Sequence, residues 1–327
     1  MVEMISNVND IPIAMAVWAV HDDYDYQNME NYISVTGLLK PTKMIILSAR
    51  NKVKHDTDVS DFVSRALGSS IHASVEKAWE NYQVNLKKLG YPQAVIDNVI
   101  INPTPDQFFE GCIPIYIEQR ACKKIAGYNV GGKFDIVIDG VVQDAKTTTA
   151  YTWLFGGRDE EHVLQGSIYR WLNPDKITED YMQINYLFTD WQAFMARQKP
   201  TYPQNRLEHK KLNLMSYEDT EQWVENKIMT LRRLWNSPEN LIPDCTPEEL
   251  WQSEPVWKYY ADASKTDGKS TKNFDDGAEA FAHLASKGNV GVVKEIPGEV
   301  KRCGYCNAYE VCEQRKRYFP DISTKPE

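Results

Sequence analysis

The stretch VGGKFDIVIDGVVQDAKTTTAY, residues 130–151, sets an Asp-Gly dipeptide between two alternating apolar runs. Both residues of a tight hairpin turn must accept positive φ, so Asp139-Gly140 marks the tip of a β-hairpin. Counting outward through a two-residue loop pairs Ile138 with Val141, Val137 with Val142, Ile136 with Gln143 and Asp135 with Asp144. The two carboxylates then face each other with Cβ atoms roughly 4.5–5.5 Å apart. The period of two along a strand puts Lys146 on the face of Asp144. Opposed like charges disfavour the pairing unless something positive lies between them. A divalent cation held by oxygen ligands meets that need, and an adjacent ammonium would stabilise charge developing on an attacked phosphate. The plainer alternative is a solvated hairpin with incidental charges. A bulge at the tip would shift the register and part the acids.

The chain of 327 residues is long enough for one large domain or two smaller ones, and 42% hydrophobic residues mark it as globular rather than disordered. No apolar run approaches the roughly 18 residues of a membrane span. The first residues lack a basic region followed by a signal-like apolar core. The expectation is an intracellular, cytoplasmic protein without a membrane partner. A formal net charge of −9 argues against indiscriminate wrapping of nucleic acid, yet leaves room for a local basic groove. Lys123-Lys124, Lys210-Lys211 and Arg315-Lys316-Arg317 are basic pairs and triplets that equally suit a solvated face.

Periodicity predicts a strand or turn entering a helix at "YISVTGLL", with "KPTKMIILSAR" continuing it after Pro41, then a long helix from Asp61 to Leu89, bent near Gly68 and stopped by Gly90. A strand reaching Glu118 precedes the hairpin. A helix over "RDEEHVLQGSIYRWL", a strand at "YMQINYLF" and a helix capped by Ser216 with Asp219 follow. This order implies an α/β fold with a mixed central β-sheet flanked by helices. In the last third, "IPDCTPEELW" is predicted as a loop opening into a short helix, and residues 256–296 as a small ββαβ insert. The expected domains are 1–240, the core with its N-terminal helical region, and 241–327, the insert with a cysteine-rich end.

"IHASVEKAWE" with His72, then Glu118, "GGKFD", "DAK" and "QGSIY" resemble, in that order, the motifs of RecB-type nucleases of the PD-(D/E)XK superfamily, over residues 30 to 190. The resemblance implies a restriction-endonuclease-like core and a divalent-metal-dependent deoxyribonuclease using magnesium or manganese. It implies that His72, Asp135, Asp144 and the carbonyl of Ala145 hold the metal, and that Lys146 is the catalytic lysine. It further implies that Gln165 and Tyr169, four apart on one helix face, orient the lysine or touch DNA. Glu118 is read either as an outer acid or as a plain strand residue. Tyr151, Trp153 and Tyr169 could stack on unpaired bases or pack the core.

"RCGYCNAYEVC" spaces Cys303, Cys306 and Cys312 as C-x2-C-x5-C. Clustered cysteines in an intracellular chain point to metal more readily than to disulfides. The spacing resembles the end of nucleases carrying a [4Fe-4S] cluster, among them CRISPR-associated exonucleases and phage-encoded nucleases. Those relatives take a fourth cysteine from the N-terminal region, where this chain has Lys40 before Pro41. Cys245 is the substitute expected here. Four thiolates suit iron-sulfur or zinc.

The leading expectation is therefore an exonuclease acting on single-stranded DNA or free ends in recombination, repair or phage DNA processing, with a helicase, recombinase or single-strand-binding protein as partner. The alternatives are a non-catalytic nucleic-acid-binding protein and an iron-sulfur regulatory protein on the same fold. Retention of opposed acids, lysine and histidine favours the enzyme.

Overall fold

The Asp139-Gly140 turn forms as the dipeptide demands, with φ of +47° and +78°. The flanking pairs are Ile138 with Val141, Val137 with Val142 and Ile136 with Gln143, the register expected from a two-residue loop. The ladder stops there. Asp135 lies in a bend before the strand instead of opposite Asp144, so the predicted cross-strand acid pair does not form as a pair. The computed structural model describes residues 4–51, 57–155 and 158–321.

In chain order the first elements are α1 (Ile13–Val20), β1 (Tyr32–Ser34), α2 (Val35–Leu38), α3 (Thr42–Arg50), α4 (Val63–Glu80), α5 (Tyr82–Lys88) and α6 (Gln93–Asn98). The strands β2 (Val99–Ile101), β3 (Ile113–Ile117), β4 (Arg120–Ile125), β5 (Tyr128–Lys133), β6 (Ile136–Ile138) and β7 (Val141–Thr148) follow. Next come α7 (Ala150–Phe155), α8 (Asp159–Leu172), β8 (Tyr181–Phe188), α9 (Ala193–Gln198), β9 (Leu207–Asn213) and α10 (Tyr217–Leu234). The chain ends with β10 (Val256–Tyr260), β11 (Lys272–Phe274), α11 (Gly277–Ser286) and β12 (Val292–Ile296).

Two compact units divide the chain. One comprises Met1–Leu39 and His55–Arg232, the other Lys40–Lys54 and Arg233–Glu327. In the first, a six-stranded mixed sheet runs β2-β3-β6-β7-β8-β9. β7 and β8 are its parallel centre, as a helical crossover through α8 requires. Alternate residues of β8, Met182, Ile184, Tyr186 and Phe188, are buried. α8 covers this face with Ile168 and Trp171, both fully buried. The approach is close enough that a Cβ on Gly166 would stand 2.5 Å from the Met182 sulfur.

A second, three-stranded sheet runs β1-β5-β4, with β1 parallel to β5. The strand expected to reach Glu118 is β3, which ends at Ile117, and the chain breaks at Glu118, whose φ is +52°. That single left-handed residue turns the chain out of the large sheet and into the small one. Gly131 and Gly132 on β5 are needed for the packing above them. A Cβ on Gly131 would lie 2.7 Å from the Tyr32 ring, and one on Gly132 2.6 Å from Val35 and 2.7 Å from the Tyr169 ring.

The predicted bent helix over 61–89 is two helices, α4 and α5, separated at Asn81. Gly68 lies inside α4 without a break, and nothing lies within 4 Å of its missing Cβ. The Ser216 cap of α10 is present, its Oγ accepting the Asp219 N–H at 3.0 Å.

In the second unit, β10, β11, α11 and β12 form the expected ββαβ arrangement as a three-stranded antiparallel sheet ordered β11-β10-β12. Tyr259, Phe274 and Ala280 make its buried centre, with Trp257, Leu284 and Val293 against them. The segment after Cys245 is a hydrogen-bonded turn over residues 247–251, not the short helix expected. Residues 40–54, expected with the N-terminal domain, fall in this unit. No helix among the described residues is long and apolar enough to cross a membrane.

Candidate metal centre

Each element around the hairpin brings one group to the same place. α4 delivers His72, whose Nδ1 lies 3.2 Å from Asp135 Oδ2 and whose Nε2–H donates to the Ala145 carbonyl at 3.0 Å. The bend before β6 frees Asp135 from the ladder, so its carboxylate accepts the Ala145 N–H at 3.1 Å. Asp135 and Ala145 are thus held together by a side-chain bond in place of the missing backbone pair. The left-handed Glu118 completes the group. One ligand atom each from His72, Glu118 and Asp135 lies within 4.8 Å of the others, and all three residues are half-buried.

Asp144, on β7, is 3% exposed. Lys146 Nζ approaches its Oδ2 to 2.6 Å, yet that oxygen has no donor aligned to it as a hydrogen bond. The contact is therefore a close charge pair. Burial pushes the Asp144 carboxyl up, with Lys146 opposing and Asp135 adding to the rise. His72 is moved up from 6.5, chiefly by its bond to Asp135, against the opposing effect of burial. Both imidazole nitrogens face oxygen acceptors, which suits the protonated ring. A metal at either nitrogen would replace a proton there.

Gln165 and Tyr169 come together on the inner face of α8, Gln165 Nε2 donating to the Tyr169 hydroxyl at 3.1 Å, and both are buried. Burial drives the tyrosine hydroxyl strongly upward, so it stays a neutral donor. Of the aromatic candidates, Tyr151 is 56% exposed, whereas Trp153 packs edge-on against Tyr186 and Phe188.

Two residues at the centre escape the motif reading. His162 lies on the same α8 face as Gln165 and Tyr169, buried, with its pKa held down at about 4 by burial and then by Lys146. The i, i+3, i+7 spacing His162–Gln165–Tyr169 was the available signal. Lys133, inside "GGKFD", forms an ion pair with Glu118.

In the second unit, Cys245, Cys303, Cys306 and Cys312 line one cavity together with Pro41, Lys43 and Leu47. Among the described residues no three of these thiols stand mutually within 4.8 Å. Burial pushes Cys245 up to about 12 and Cys303 up to about 11. Gln314 grips Cys245 from both sides, its Oε1 accepting the Cys245 N–H and its Nε2 donating to the Cys245 carbonyl, each at 2.8 Å. Lys43, also buried, pairs with Asp244 at 2.7 Å and Glu239 at 3.4 Å.

No family model matches the chain. No curated protein matches it either. A solved structure titled "Crystal structure of SSO0001" is similar at 18% identity, covering 69% of this chain and 86% of that one with a TM-score of 0.41. A likeness so distant transfers neither fold nor activity.

Proposed function

We propose that the chain is a divalent-metal-dependent nuclease of the PD-(D/E)XK type, hydrolysing phosphodiester bonds in DNA recombination, repair or phage DNA processing. The observation that carries this reading is the meeting of His72, Glu118 and Asp135 beside a buried Asp144 that already has Lys146 at 2.6 Å. The carboxylates of the donor set suit magnesium or manganese, and the single imidazole favours the softer manganese of the two. Asp144 Oδ2, buried without an aligned donor, is the further oxygen such an ion would satisfy.

His72, Glu118, Asp135 and Asp144 would hold the ion. When bound, it would polarise the scissile phosphate and acidify a water. Lys146 keeps positive charge where the attacked phosphate gathers negative charge, and orients the water by donating to its oxygen. Asp144 fixes the lysine in place. The Gln165–Tyr169 bond stiffens the α8 face above them. The Ala145 carbonyl, named as a ligand by the resemblance, is engaged by His72, so its first role here is to position that ring.

Cys245, Cys303, Cys306 and Cys312 would hold a [4Fe-4S] cluster, with zinc the alternative, because four thiols lining one cavity suit either group. Cys245, Cys303 and Cys312, whose thiols burial pushes up, would lose their protons on loading.

Labelled single- and double-stranded DNA, with free or blocked ends, incubated with manganese will test the reading. Cleavage that vanishes with chelator and in Asp144→Ala and Lys146→Ala supports it. Persistent cleavage in both variants, or none in the parent protein, overturns it.

A further inference from the structure

The stretch HDDYDYQ, residues 21–27, is the most acidic and aromatic run near the N-terminus, and it lies without regular secondary structure against basic residues of the first unit. Asp22 pairs with Arg65 at 3.0 Å. Asp25 approaches Arg120 at 3.5 Å, and Arg120 also donates to the Asp25 carbonyl at 2.9 Å. Between these acids, the Tyr24 ring lies under the Arg120 guanidinium at 5.7 Å and the Lys133 ammonium at 6.0 Å. Tyr26 meets Tyr24 edge-on at 4.9 Å, and both rings are largely exposed. The basic residues lead to the metal centre, because Lys133 pairs with Glu118 of the triad.

An alternation of anions and flat rings on arginine and lysine is what an unpaired nucleic acid strand presents to a protein. Arginine takes phosphate through its planar fork, and exposed rings stack on unpaired bases. We infer that Arg65, Arg120 and Lys133 form the track along which single-stranded DNA enters the metal centre, and that Asp22, Tyr24 and Asp25 occupy it as an internal substitute for the strand. The inference rests on the nuclease reading for its destination. It adds the path, the substrate class and a built-in competitor. The strand must displace two partly exposed ion pairs, each worth at most about 1 kcal/mol, so the substitute sets a modest threshold.

The test is binding of fluorescein-labelled oligo(dT) in chelator, where no cleavage occurs, with cleavage in manganese measured in parallel. Asp22→Asn/Asp25→Asn should tighten binding about five- to tenfold, the sum of two exposed pairs. Asp23→Asn, which alters an acid that faces neither arginine, should change it less than twofold. Arg65→Ala/Arg120→Ala should weaken binding at least tenfold and flatten its salt dependence. The inference is overturned if the double asparagine variant binds no tighter than Asp23→Asn, if loss of both arginines leaves affinity intact, or if duplex DNA or RNA gains as much as oligo(dT). Cleavage without these shifts removes the track and keeps the nuclease. Shifts without cleavage in any variant do the reverse. Circular dichroism melts of each variant guard against misfolding.

Discussion

Lys146 Nζ lies 2.6 Å from Asp144 Oδ2, so the more buried of the hairpin acids carries its own cation two residues along the same strand. Removing one partner leaves the other charge buried and uncompensated. Lys146→Met should lower stability by about 2–3 kcal/mol in urea unfolding, since Lys146 retains some solvent contact. Asp144→Asn/Lys146→Met should recover most of that loss while cleavage stays at least a hundredfold down. Recovery of cleavage along with stability would contradict the assigned roles.

The His72–Asp135 contact has a pH signature in the apo protein. The folded ring titrates above 6.5 because Asp135 favours its protonated form. Its stabilisation is fully present below the unfolded value of about 6.5 and fades as pH climbs through the folded value. Nitrogen-detected NMR of the imidazole in chelator should find the His72 midpoint above 6.5, and Asp135→Asn should bring it down.

His162 behaves in the opposite sense. Buried beside Lys146 with its pKa held at about 4, it is neutral in the native protein over most of the acid range. The unfolded chain binds the proton first, so stability falls between roughly pH 6.5 and 4, by on the order of 2–4 kcal/mol. His162→Gln should flatten that limb of a stability-against-pH curve from denaturant titrations.

Two glycines separate steric need from helix propensity. Gly132→Ala would push a methyl to 2.6 Å from Val35 and 2.7 Å from Tyr169, and should cost about 1–3 kcal/mol. Gly68→Ala, inside α4 with nothing within 4 Å, should stabilise by about 0.5–1 kcal/mol. Thermal melts of both variants check the pair.

For the cysteine cavity, anaerobic preparations of Cys245→Ser and Gln314→Ala should carry less iron per chain than the parent, measured by iron and sulfide content and by visible absorption. Gln314→Asn, too short to span both backbone groups, should resemble the alanine variant. Full iron content in Cys245→Ser would remove it from the ligand set.

The large sheet was legible because its decisive turn is local. Asp139-Gly140 admits few alternatives, and alternation in β7 and β8 announces a buried face. β9 was not read from the residues, since "LEHKKLN" is an edge strand whose side chains are alternately exposed and half-buried, with no apolar run to betray it. Glu118 shows a different limit. Its backbone adopts positive φ without a glycine to signal it, and that bend decides whether its carboxylate reaches His72 and Asp135. His72, Asp135 and Asp144 were named by motif order; His72 and Asp135 meet through their side chains, and Asp144 contacts Lys146, instead of the opposed acid pair that residue counting implied. The segment at 21–27 offered no period at all, because its contacts with Arg65 and Arg120 span 43 and 95 positions.

Gln314 holds Cys245 as a neighbouring β-strand would, with one amide matching both backbone groups across 69 positions. The chain between those residues, which carries three of the four thiols as well as the small sheet, leaves and returns at that clasp. Doubling the length of such an excursion costs only about 0.6 kcal/mol of closure entropy. Lengthening a loop of the small sheet, within residues 256–296, should therefore disturb that clasp little.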